Sequence, residues 1–129
     1  MIELPITSIV AALLSLLLIV LSMRVGVIRY QKKIWLSDGG DKTLTRAVRA
    51  QGNFVEYVPV ALFLIALIEL ANAPSILVGC LGAGLLLSRL THALGLSIDE
   101  RSIARGLGAN GTFLVMLISA SWLLWRYLF

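Results

Sequence analysis

The sequence predicts an all-α integral membrane protein, a four-transmembrane-helix bundle, from three observations. Of its 129 residues, 59% are hydrophobic and only 14% are charged. Mean hydropathy is +0.94, far outside soluble globular usage. Continuous apolar runs stand at 6–23, 58–70, 76–87 and 111–128; a helix rising about 1.5 Å per residue needs roughly 20 residues to cross the hydrocarbon core. Strands are the weaker alternative, because the runs lack the alternation of a membrane barrel. One domain is expected over 1–129, with helices over about 4–29, 43–72, 75–94 and 103–128.

The first run reads as a permanent helix. Its apolar stretch is too long for a secretory signal, Glu3 precedes it without any Lys or Arg, and no small-residue cleavage pattern follows. The loop after it, "RYQKKIWLSDGGDKTL", holds the only extended polar stretch. Its "DGGD" is a turn signal, and Thr43 or Asp41 is placed to cap the next helix.

Arg24, Arg29, Lys32, Lys33, Lys42 and Arg46 cluster between the first two runs, while "ANAPS" between the second and third has no charge. The positive-inside rule then puts the basic loop in the cytoplasm and both termini outside. A bacterial inner membrane is the expected location. The net charge of +4 fits a juxtamembrane loop facing anionic headgroups, and no nucleic-acid recognition motif accompanies it. Cys80 is the single cysteine, which excludes an intrachain disulfide and a cysteine-rich metal site; it reads as a small packing residue.

Helix 2 opens with "RAVRAQGNFVEYVP". At 100° per residue, Arg49, Asn53 and Glu56 fall within an arc of about 60°, with Arg46 roughly in line. Val48, Phe54 and Val55 lie off that stripe, and Gly52 permits close approach of another helix. A polar stripe of this kind belongs in a bundle interior or a subunit interface. Pro59 removes the donor to the Val55 carbonyl, so a kink or local opening is expected there.

Helix 3 reaches crossing length only if "SRLTHALG" continues it, which puts Ser88, Arg89 and His92 near the same end as the helix 2 stripe. Arg89 and His92 share a face, and Gly79, Gly82, Ala83 and Gly84 suit tight helix contact. Helix 4 begins in "RGLGANG", a formal GxGxxG at Gly106, Gly108 and Gly111. No strand precedes it, so helix packing explains it better than a phosphate turn. "SWLLWRYLF" closes the chain as an aromatic and basic interfacial anchor.

Two readings of the charged residues stand side by side. In one, Arg49 pairs with Glu56, and Arg89 with Glu56 or Asp99, to lock helices together. In the other, the guanidiniums, the Asn53 amide and the Glu56 carboxylate form a site for a small zwitterion with more than one carboxylate. Glutathione has that form, and a nearby arginine favours its nucleophilic thiolate.

"RAQGNFVEYVP" resembles the helix 2 signature of the MAPEG family, the membrane-associated proteins of eicosanoid and glutathione metabolism, in the pattern R-x-x-x-N-x-x-E-x-x-P. Length, four helices and a basic first loop agree with it. The resemblance implies a homotrimer of four-helix bundles with glutathione bound between subunits. It implies that Arg49, Asn53, Glu56 and Tyr57 hold the tripeptide. "SRLTH" is similar to the "ARIYH"-like segment of microsomal glutathione transferases, which marks Arg89 as the residue that stabilises the thiolate. His92 also matches and reads as a structural helix-end residue. The helix 3 tyrosines of the leukotriene-forming members are absent here, and their thiol-activating arginine would fall near Leu94.

The function implied is a membrane glutathione transferase that conjugates glutathione, as co-substrate, to lipophilic electrophiles for detoxification, with peroxide reduction as an accompanying activity. No metal and no nucleic acid are expected; membrane lipids and further copies of the chain are the expected partners. The alternative is a non-catalytic lipid- or glutathione-binding scaffold.

Overall fold

The computed structural model describes residues 3–129 as four helices in sequence: α1 (Pro5–Lys32), α2 (Lys42–Leu70), α3 (Ser75–Ile98) and α4 (Ile103–Leu128). Each is long and apolar enough to span a bilayer. The short links between them impose an up-and-down course. Central to the bundle are α2 and α3, which touch each other and both flanking helices. α1 and α4 make no contact with each other among the described residues.

Helix ends follow local chemistry. Pro5 stands in the first turn of α1, where its missing N–H costs nothing. Other orphan donors there, the amides of Ile6 and Thr7, reach the Glu69 carboxylate of α2 at 3.0 and 2.8 Å, so a side chain 62 residues away completes this terminus. α1 ends at Lys33, which takes a left-handed conformation at φ 56° while the Ile34 amide returns to the Arg29 carbonyl. Asp41 is the residue that caps α2, accepting from the Leu44 amide at 2.8 Å.

Two helices run past their expected ends. α1 continues to Lys32, and α3 to Ile98 despite Gly95. Gly95 does not break α3 because its missing Cβ is used for packing: a Cβ there would collide with the α4 backbone at Ala104 and Arg105. Gly108 and Gly111 do the same from the α4 side, against the Ser88 and His92 backbone and the Ser88 side chain. Gly108 and Gly111 of "RGLGANG" thus seat α4 on α3. α2 is continuous through Pro59.

The main core joins Leu14, Phe54, Val58, Ile65, Val78, Leu85 and Val115. A smaller cluster of Val25, Ile28, Leu44 and Ala47 closes the basic-loop end of α1 and α2, with Ile34 of the loop folded onto it. Large apolar side chains also cover the outside, Leu16, Phe63, Leu87 and Leu117 among them, as a lipid-facing surface requires. Cys80 lies exposed on α3 instead of being packed inside.

Candidate functional site

The polar stripe of α2 lines one wall of a cavity of about 760 Å³ at the basic-loop end of the bundle. Arg46, Arg49, Gly52, Asn53 and Glu56 come from this wall. His92 and Leu96 of α3 face them, and Glu100, Arg101 and Arg105 close it from the α3–α4 link and the start of α4. The volume is within the range of small-ligand sites. Helical spacing explains the wall: residues 49, 52, 53 and 56 share one side of α2, while Ala47, Ala50, Phe54 and Val58 go to the core.

Arg49 and Glu56 are both exposed and make no hydrogen bond or salt bridge among the described residues. Their mutual ion pair is therefore not formed, nor is one between Arg89 and Glu56 or Asp99. Lys32 with Asp41 is the ion pair of the described chain, and it lies in the loop between α1 and α2.

Arg89 is buried behind the wall, outside the cavity lining. It donates through one Nη to Asn53 Oδ1 at 2.7 Å and through the other to the Gly108 carbonyl at 3.0 Å. Its Nε has no partner among the described residues. Because a guanidinium only donates, the Asn53 atom facing it must be the oxygen. The Asn53 NH2 is left for the cavity. Tyr57 turns from the cavity toward α4, where its ring meets Phe113 edge to face at a centroid distance of 5.1 Å.

His92 is 4% exposed and lines the cavity. Its Nδ1 lies 3.1 Å from the Arg105 carbonyl, and its Nε2 is buried with no partner among the described residues. A carbonyl can only accept, so Nδ1 carries the proton and Nε2 of the neutral ring is an acceptor. Nε2 is thus an unpartnered acceptor sealed inside the bundle beside the cavity.

Other contacts hold the rim. Arg46 donates to the Ile98 carbonyl at 3.2 Å, Arg105 to the Glu100 carbonyl at 2.6 Å, and Arg24 of α1 to Ser97 Oγ. Sequence reasoning singled out Arg49, Asn53 and Glu56, which the fold brings into one cavity. It did not single out Arg101 and Arg105 as site residues, since nothing in their spacing ties the α3–α4 link to the α2 stripe.

Residues 7–125 match the sequence model of the MAPEG family. This chain belongs to the MAPEG family. It is also similar to the Inner membrane protein YecN of Escherichia coli strain K12, at 37% identity over 90 residues, or 70% of this chain and 69% of that protein. The same protein of Escherichia coli O6:H1 matches with equal figures. No solved structure gives a significant match. With four apolar helices and an inner membrane relative, this MAPEG chain is an integral inner membrane protein.

Proposed function

We propose that this MAPEG protein is a membrane glutathione transferase, conjugating the thiolate of glutathione to lipophilic electrophiles that arrive laterally from the bilayer. The observation that carries this reading is that Arg49 and Glu56 line an open cavity while leaving each other unpaired. Such groups complement a zwitterion: guanidiniums take carboxylates and Glu56 takes the ammonium. The Asn53 amide donates to the peptide.

The thiolate needs positive charge nearby. Arg46, Arg49, Arg101 and Arg105 supply it around the cavity. Arg89 acts from behind, holding Asn53 and adding its charge to the field of the site. Tyr57, packed on Phe113, stands outside this copy's cavity; neighbouring copies in a homotrimer would shield the exposed Arg49 and Glu56 from lipid.

Calorimetric titration of the purified protein with glutathione tests this. Saturable binding is expected, weakened about tenfold or more in Glu56→Gln by loss of a charge-assisted contact. If the native protein binds no glutathione, the proposal is wrong. The alternative, a non-catalytic scaffold, draws on one specific observation: the Arg89 guanidinium is already committed to Asn53 and Gly108. Binding without turnover of any electrophile would favour it.

A further inference from the structure

The loop between α1 and α2 carries a second surface that the glutathione site does not use. Trp35 is 68% exposed and Leu36 86%, and Tyr30 in the last turn of α1 is 75% exposed. Large apolar side chains of this kind are costly in water. They are not displayed by a floppy segment, for the loop is tied at several points. Arg29 donates to the Ser37 carbonyl at 2.7 Å and to the Ile34 carbonyl at 3.3 Å. Asp38 accepts from the Gly40 amide and the Thr45 hydroxyl, and Lys32 pairs with Asp41.

Ile34 fixes the depth of the loop. Its side chain folds back onto Val25, Ile28, Leu44 and Ala47, and its amide bonds the Arg29 carbonyl, so the chain after Lys33 folds back onto the ends of α1 and α2. The apolar run of α1 ends at Met23. From Arg24 to the level of Arg29 and Tyr30 is about 8 to 9 Å along the helix, close to the thickness of one headgroup layer. Trp35 and Leu36 follow Ile34 directly in the chain. Lys33 and Lys42 stand at the same end, exposed, their ammonium groups without a hydrogen-bond or ion-pair partner among the described residues.

We infer that this loop is a docking surface for anionic phospholipid on the basic-loop side of the bilayer: Trp35 and Leu36 enter the headgroup boundary while Lys33 and Lys42 take the phosphates. Tryptophan and tyrosine favour that boundary, and a lysine near an anionic surface adds attraction that zwitterionic lipid does not offer. Ile34 and the Arg29 and Asp38 contacts are the scaffold that presents the pair.

The test uses the full chain in nanodiscs of mixed phosphatidylglycerol and phosphatidylcholine, with bromine placed high on the acyl chains of one lipid or the other. Subtracting the emission of Trp35→Phe from that of the native chain isolates Trp35 from Trp122 and Trp125. The expected result is stronger quenching by brominated phosphatidylglycerol than by brominated phosphatidylcholine. Lys33→Gln with Lys42→Gln should reduce that preference roughly fivefold per lysine. Equal quenching by both lipids would overturn the anionic site. So would quenching by aqueous iodide alone, which means a loop in water, or by neither bromine nor iodide, which means a second copy covers the loop.

Discussion

The Arg89 guanidinium of α3 holds Asn53 Oδ1 of α2 at 2.7 Å, and its other arm holds the Gly108 carbonyl of α4 at 3.0 Å. One buried cation thus sets the distance between three helices and fixes which end of the Asn53 amide faces the cavity. A buried guanidinium is expensive unless its donors are used, and here two arms are used. Arg89→Leu leaves Asn53 without its anchor, whereas the Gly108 carbonyl keeps the Thr112 hydroxyl at 3.1 Å.

Arg89→Leu should therefore destabilise the protein by about 1 to 3 kcal/mol, the cost of orphaning a buried polar group, visible as a lower melting temperature in detergent. Turnover should fall more than glutathione affinity, because one positive charge behind the cavity is lost while Arg49 and Glu56 remain to hold the tripeptide. Asn53→Asp separates geometry from binding. It keeps the Arg89 contact, now as an ion pair, but removes the NH2, so melting should hold or rise while glutathione affinity falls. Unchanged affinity in Asn53→Asp would show that the amide is not a ligand contact.

Helix packing makes a ranked prediction. An added Cβ at Gly108 meets the His92 and Ser88 backbone, and one at Gly95 meets the Ala104 and Arg105 backbone. Neither can be relieved without separating α3 from α4, so alanine at either site should cost about 1 to 3 kcal/mol. Gly82 opposes one γ-methyl of Val10 and no backbone, and Gly106 opposes nothing within 4 Å. Gly82→Ala should cost less, and Gly106→Ala should be neutral or stabilising by up to about 1 kcal/mol. Thermal melts of the four variants check the order; a Gly108→Ala protein as stable as the native one would refute this contact.

What was legible in the sequence follows from these contacts. The four helices could be read because continuous apolar runs leave a chain in lipid no other way to satisfy its backbone. Arg49, Asn53 and Glu56 could be read as a set because helical spacing is a local property. The ends of α1 and α3 were harder. Gly95 looks like a terminator until the α4 backbone occupies the space of its absent Cβ, and the orphan amides of Ile6 and Thr7 find their partner only through the α1–α2 contact. Arg101 and Arg105 enter the site through the crossing of α4 on α3, which no spacing encodes. Tyr57 follows Glu56 by about 100°, and that rotation carries it to Phe113.

Glu69 gives a prediction at the opposite end of the bundle. Its carboxylate takes the Ile6 and Thr7 amides, so both charge and hydrogen bonding favour it at the α1 N-terminus. Glu69→Ala should cost about 1 to 3 kcal/mol and raise hydrogen exchange at residues 6 and 7. Glu69→Gln, which retains one acceptor, should cost less. Glutathione binding should be unaffected in both, since Glu69 is outside the cavity lining.

The α1–α2 loop should respond to acid in a defined direction. The Gly40 amide first, then the Thr45 hydroxyl, hold the Asp38 carboxyl below its ordinary value of 3.8. The Lys32 ammonium first, then the Leu44 amide, do the same for Asp41. A carboxyl with a depressed folded pKa binds its proton more readily when unfolded. Its stabilisation is fully present above about pH 4 to 5 and is lost as pH falls through the lower folded values. Both groups are solvent-accessible, so added salt should weaken the Lys32–Asp41 part. Melting temperature should therefore drop between pH 5 and pH 3 in the native chain, and the drop should shrink when Asp38→Asn and Asp41→Asn are combined. An acid drop of equal size in that double variant would place the responsible carboxyls elsewhere, with Glu69 the next to substitute.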